Sequence, residues 1–270
     1  MRLACTQSLR CFLAIYLMSG LVACGSFASC FNSGFASVAC GGGYGESSVS
    51  VLPPTASSAA GRWTGSTRTG RTVTGLVLED GSYWLFYSAK HNPNILDGLT
   101  QGTGTSHSGS FGSPNTRDFH LEGAGIRAGR MSGTYATKES FHATIIYSNG
   151  ETDSFRNTYV ADSELAPDLN LVAGIYTGLR PDDQTVTVTV DAAGTLSGQS
   201  TDGCTFAGTV SSRPKGNVFK VSVTFEGGAC RQGTDTLTGI AFFDAATNRL
   251  YSAALNPART TSVLFLGTKQ

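Results

Sequence analysis

At 270 residues, with 34 glycines and only 14% charged side chains, the chain is longer than one domain of roughly 100 to 150 residues and predicts two. Glycine at about 13% of positions is nearly double the usual roughly 7%, which disfavours helix. Lys plus Arg equals Asp plus Glu at 19 each, so there is no surplus of positive charge to neutralise phosphates, and nucleic-acid binding is not expected.

The amino terminus reads as an export signal. Arg2 and Arg10 form a basic start, and an apolar run of about 13 residues follows from Cys11 to Ala23, too short to cross about 30 Å of hydrocarbon as a helix. Leu21-Val22-Ala23-Cys24-Gly25 then resembles the bacterial lipobox. That resemblance implies cleavage before Cys24, a lipid on its sulfur and acylation of the new amino terminus, with residues 1–23 as the signal peptide. Two or three acyl chains make a durable anchor where one does not. Losing Arg2 and Arg10 with the signal reduces 19 basic side chains to 17, against 19 acidic ones. Gly25, rather than Asp, after the anchor cysteine resembles the outer-membrane sorting preference of Gram-negative bacteria. A second Ala39-Cys40 lacks the upstream leucine and apolar core of a lipobox.

Residues 24–59 are mostly Gly, Ser, Ala and Val with Pro53-Pro54, a composition that reads as a flexible tether. Cys30 and Cys40 lie within it and could pair, although nothing requires it.

Residues 60–161 read as a first β domain: short Thr-, Val-, Tyr- and Phe-rich runs are cut by Asp-Gly and Asn-Gly turns. Tyr83-Trp84-Leu85-Phe86-Tyr87 is aromatic or apolar on both faces. If Tyr83, Leu85 and Tyr87 face inward, then Trp84 and Phe86 point outward and need a cover, either the second domain or a partner. Trp63 could join them, so Trp63, Trp84 and Phe86 form the candidate binding patch. All four histidines, His91, His107, His120 and His142, fall in this domain, yet none is spaced as a metal-ligand pair, and Asp118 and Glu122 are of the kind that surface strands carry; no metal site is assigned. Gly123-Ala124-Gly125 matches a dinucleotide fingerprint only as a string and reads as a turn. No nucleophile elbow, Ser-x-x-Lys or zinc-hydrolase motif occurs, so no catalytic residue and no cofactor is assigned.

Residues 162–170, with Pro167 among acids, read as a linker. Residues 171–270 form a second β domain, with strands expected near 174–178, 184–191, 194–200, 204–212, 217–226, 234–243, 248–255 and 261–268. Val186, Val188 and Val190 alternate with Thr185, Thr187 and Thr189, as Phe219, Val221, Val223 and Phe225 do with the polar residues between them. Bulky inward residues suggest a filled core. Eight short strands suit a closed up-and-down barrel, which has no free edges, with a two-sheet sandwich as the alternative. Cys204 and Cys230 would sit on neighbouring strands and are the expected disulfide; a metal pair would lack further ligands, since no histidine follows His142.

Phrases recur between the halves. Gly61-Arg62-Trp63-Thr64-Gly65 matches Gly174-Ile175-Tyr176-Thr177-Gly178, and Thr74-Gly75-Leu76-Val77 through Tyr87-Ser88-Ala89 matches Thr238-Gly239-Ile240-Ala241 through Tyr251-Ser252-Ala253. The expected fold is therefore all-β, with two small antiparallel barrels of about eight strands in tandem. With the lipobox and the spacer, this plan resembles uncharacterised bacterial lipoproteins with tandem glycine-rich barrels and, distantly, the barrel domains of transferrin-binding surface lipoproteins. Handle domains and partner-binding loops of the latter group are not identifiable, so transferrin binding is not implied. The expectation is a cell-envelope protein held to a membrane by lipid, with a protein or small-ligand partner and no enzymatic activity. A structural envelope component is the alternative; a hydrolase or metal-binding protein is the third.

Overall fold

The computed structural model describes residues 58–121, 125–180 and 182–270. The expected signal segment, Cys24, Cys30, Cys40 and all but the last two residues of the expected tether lie outside them, as do Glu122, Gly123 and Ala124.

Two closed antiparallel barrels account for almost all of the described chain. In the first, Gly61–Thr67 (β1), Thr72–Val77 (β2), Ser82–Ala89 (β3) and Asn92–Thr103 (β4) run in sequence order, and a short strand, Thr105–His107 (β5), hairpins onto Ser110–His120 (β6). Ile126–Ala136 (β7), Ser140–Tyr147 (β8) and Thr152–Val160 (β9) complete the set. Closure comes from β1 pairing with β9 and from β4 pairing with β6, so β5 is an appendage and the wall has eight strands. A register shift in β6 between Ser113 and Thr116 spans Pro114, whose missing N–H cannot serve a ladder.

The second barrel closes from Gly174–Leu179 (β10), Thr185–Val190 (β11), Thr195–Ser200 (β12), Thr205–Ser212 (β13), Phe219–Phe225 (β14), Thr236–Asp244 (β15), Arg249–Leu255 (β16) and Ser262–Lys269 (β17). Each strand begins and ends within two residues of where alternation and turn residues predict it. Val186, Val188, Val190, Val221 and Val223 all enter the barrel core, and their threonine and lysine neighbours do not. A disulfide joins Cys204, just before β13, to Cys230, in the loop after β14. Between the barrels lie a 3-10 turn, Ala161–Glu164, and a single helical turn, Leu169–Val172 (α1), capped by the Asp168 carboxylate accepting from Asn170 N–H.

The repeated phrases are repeated structures. Trp63 and Tyr176 are both wholly buried at the start of their barrels. Trp63 donates Nε1–H to Ala59 C=O at 2.9 Å, and Tyr176 donates Oη–H to Val172 C=O at 2.6 Å, in each case four residues back. Each ring thus closes one end of its barrel and satisfies its polar atom on the backbone that leads in. In the first barrel Phe141 and Tyr159 pack on Trp63, with ring centroids 5.6 and 5.4 Å away.

The two barrels pack as one unit. Tyr83, Leu85 and Tyr87 face into the first barrel, which turns Trp84 and Phe86 outward. Their cover is the second barrel: Val218, Ile240, Phe242, Tyr251, Ala253, Leu255 and Leu266 share one apolar cluster with Leu76, Trp84, Phe86, Leu99 and Phe119. Phe86 meets Phe242 and Tyr251 edge-on, each at 5.8 Å, while Phe242 and Tyr251 stack at 4.9 Å. Polar groups ring this cluster. Arg62 pairs with Asp162 (2.7 Å) and Asp244 (3.2 Å), Arg213 pairs with Glu79 (3.1 Å), and Arg259 donates to Gln101 C=O (2.7 Å). The candidate patch of Trp63, Trp84 and Phe86 is therefore not a surface: Trp63 belongs to a barrel interior and the other two to the seam between barrels.

A second expectation also changes. The second barrel is not filled: Gly178, Ala241 and Ala254 stand among the bulky residues that line its interior. A cavity of about 220 Å³ remains in it.

Truncating Trp84 or Phe86 to Ala leaves a void in the seam, and each change is expected to lower unfolding free energy by about 3–5 kcal/mol. Chemical denaturation measures this. A loss near zero for both would mean that the seam does not contribute to stability.

Candidate functional site

The first barrel has one aromatic end and one charged end. Trp63, Phe111, Phe141 and Phe155 pack the lower part. At the other end, where β1, β3, β6 and β8 finish and β2, β7 and β9 begin, a cavity of about 450 Å³ opens. Its apolar base is Val73, Leu85, Ile145 and Phe155, and its upper wall carries Arg71, Lys90, Asp118, His120, Arg127, Glu151 and Asp153.

Asp118 anchors this wall. Its side chain is 1% exposed and accepts hydrogen bonds from Tyr87 Oη (2.7 Å), Tyr147 Oη (2.9 Å) and Arg127 Nη2 (2.7 Å). An isolated carboxylate buried this deeply would cost several kcal/mol, and the three donors offset that cost. Burial and then the Asp118 charge push both phenols well above the ordinary tyrosine range, so Tyr87 and Tyr147 stay protonated and donate. The Arg127 guanidinium lies over the Tyr147 ring, 3.8 Å from its centroid, and reaches Glu151 at 3.1 Å.

A second buried acid, Asp97 on β4, sits behind Tyr87. It pairs with Arg71, which also donates to Ser88 C=O at 2.9 Å, and lies 3.6 Å from His120 Nε2. Arg71 stacks over the Tyr87 ring at 5.6 Å, and the His120 ring is 5.9 Å from it. Tyr87 is thus the hub that joins the two acids. Room for its hydroxyl depends on Gly98, where a Cβ would stand 2.0 Å from Tyr87 Oη.

Of the acids at this mouth, Asp153 has no ion pair among the described residues. Its one hydrogen bond is accepted from Ser154 N–H at 2.8 Å. Burial, with a further contribution from the Asp118 charge, raises its pKa above the ordinary aspartate value. The Arg127 Nε and His120 Nδ1 atoms are buried without a hydrogen-bond partner.

The residues singled out from sequence fall elsewhere. Of the four histidines only His120 lines the cavity; His91, His107 and His142 are exposed. Among the described residues no group of three or more His, Cys, Asp or Glu side chains could hold a metal ion. Asp118, set aside as a surface-strand acid, is instead the most deeply buried charge of the mouth. Tyr87, Arg127, Tyr147 and Asp153 went unrecognised, because they are scattered over 67 positions and meet only when four strand ends are brought together. The chain matches no family model, no curated protein and no solved structure.

Because the folded-state pKa of Asp153 is raised, its charge opposes folding at neutral pH, and that penalty fades as pH falls through the raised value towards the unfolded one near 3.8. Asp153→Asn is therefore expected to raise the melting temperature at pH about 7, with the gain vanishing below pH about 4. Melting curves across that window check the sign. A variant less stable than the parent at neutral pH would show that the carboxylate is held by attraction.

Proposed function

We propose that the chain is a non-enzymatic binding protein of the cell envelope, held to a membrane through lipid on Cys24, with the open end of the first barrel as its binding site. One observation carries this reading: a cavity of about 450 Å³ with an apolar base and a wall of fixed, oppositely charged groups. Its volume lies in the range of small-molecule sites. Arg71, Arg127 and Lys90 face Asp118, Asp153 and Glu151, so the wall offers both signs of charge and suits a small zwitterionic or neutral polar molecule, its apolar part toward Leu85 and Phe155. Asp118, Tyr87 and Tyr147 hold one another and position Arg127; the half-buried Asp153 carboxylate, which has no ion pair, supplies the polar contact. The placement rests on the Leu21-to-Cys24 motif, and the Cys204–Cys230 bridge suits an oxidising compartment.

The structural alternative draws support from the aromatic strand, since Trp84 and Phe86 are used for cohesion between the barrels. That relocates the expected binding residues without removing the mouth.

A thermal-melting panel of free amino acids, betaines and hexoses tests the site. A true ligand at about a hundredfold excess over its Kd stabilises by about 2.7 kcal/mol, and Asp153→Asn should abolish that shift. If no compound shifts the parent, or if every shift survives in the variant, the mouth is not the site assigned here. The anchor is tested separately by palmitate labelling in a bacterial host: the parent should be labelled and Cys24→Ser should not. Equal labelling of the two overturns the anchor.

A further inference from the structure

The second barrel carries a different cavity, independent of the first barrel's mouth. Its interior surface is mostly hydrocarbon: Val186, Val188, Val210, Val221, Val223 and Leu250 line it, and the Ser252 hydroxyl among them donates to Ile240 C=O. The large residues of the lower barrel, Tyr176, Phe219 and Phe243, fill their end, while Gly178, Ala241 and Ala254 stand among the residues that line the open part. The resulting 220 Å³ exceeds the roughly 150 Å³ apolar cavity that excludes water and takes up benzene.

The cavity is also elongated, and the barrel wall shows why. Pairing between β10 and β17 covers only Tyr176 with Lys269 and Thr177 with Thr268, whereas β16 and β17 pair along their whole length, from Arg249 with Thr268 to Leu255 with Ser262. The ladder stops at Thr177 and Gly178 still abuts the Leu266 carbonyl, but above that contact the Ser262–Phe265 stretch of β17 has no partner on β10, and the wall is a slit there. Through it the cavity continues onto Leu179, Leu264 and Leu266, and then to Leu96 and Leu121 of the first barrel. Leu179 and Leu121 are 44% and 40% exposed, unusual for leucines beside an apolar channel.

Charge at the top is spent internally. Asp182 pairs with Arg180 (2.8 Å) and Arg231 (3.3 Å), and Arg180 reaches Asp202 (3.4 Å). These pairs bridge the loops after β10, β12 and β14, the last two tied by the Cys204–Cys230 disulfide. The cavity therefore offers a ligand no uncompensated charge.

We infer that the second barrel binds an uncharged aliphatic chain, its end in the valine-lined interior and its remainder passing out through the slit between β10 and β17 over the leucine strip. A compact ring would fill the interior but leave the strip unused, and a charged head would compete with the paired loops; an alkyl chain fits both features. The chain could come from a free lipid alcohol or from a phospholipid, since the hydrocarbon is common to both.

Titration of the full chain with hexanol, octanol, decanol and dodecanol, followed by calorimetry, tests this. Saturable binding should tighten by about fourfold per added methylene while burial continues, and then level off when the cavity and strip are covered. Decanoate should bind more weakly than decanol, and didecanoyl phosphatidylcholine below its micellar concentration shows whether a phospholipid can supply the chain. Ala254→Leu, which fills the interior, should weaken decanol binding by about tenfold or more. Leu179→Lys changes an exposed side chain at the slit, so it should fold as the parent does and still weaken decanol several-fold. Absence of saturable decanol binding overturns the inference. So does affinity that rises without a plateau, decanoate binding more tightly than decanol, or parent-like binding by Leu179→Lys.

Discussion

The barrel-to-barrel seam is the constraint on which the rest depends. A small barrel ordinarily keeps its apolar residues inside and its polar residues outside. Here one side of each wall is apolar outside as well, with Leu76, Trp84, Phe86 and Phe119 on one barrel and Ile240, Phe242, Tyr251 and Leu255 on the other. Neither face can be left in water, so the two barrels form a single cooperative body with three cores, two internal and one between. Charged groups at the margin, Arg62 with Asp162 and Asp244 above all, orient the contact; the aromatic cluster supplies its cohesion.

That seam releases the barrel interiors from carrying all of the stability. In the first barrel, inward positions near the mouth hold Tyr87, Asp118 and Tyr147 in place of aliphatic residues, and in the second, glycine and alanine stand where branched residues would fill the space. The two interiors have diverged in chemistry on one architecture, a charged cup in one case and a hydrocarbon slot in the other. The equivalent rings, Trp63 and Tyr176, close the same end of both.

Much of the fold was legible in the sequence because β structure writes itself with period two. Val186 to Val190 and Phe219 to Phe225 declare their faces without ambiguity, and Asp-Gly and Asn-Gly turns mark the ends. Cys204 and Cys230 could be paired because the strands between them are short and consecutive. Tyr83 to Tyr87 could be read as needing a cover, although the sequence could not say what supplied it. The mouth was illegible for the same physical reason. On β6, Phe119 points out and Asp118 points in, the reverse of the usual assignment, and only the neighbouring barrel makes that arrangement stable. Alternation shows that two faces differ; it does not show which is wet when both are covered. Nor could period two reveal the cavity in the second barrel, since volume depends on which small residues fall at the same height on different strands.

One geometrical detail bears on how the molecule meets its surroundings. Ala59 is fully buried, accepts from Trp63 Nε1–H and donates its own N–H to Ser106 Oγ. The polypeptide thus arrives at the aromatic floor of the first barrel and is fastened there, at the pole opposite the charged opening. Anything attached upstream pulls on the sealed pole. A leash there would be joined to the base of the cup and not to its rim, so the join itself takes up no part of the opening.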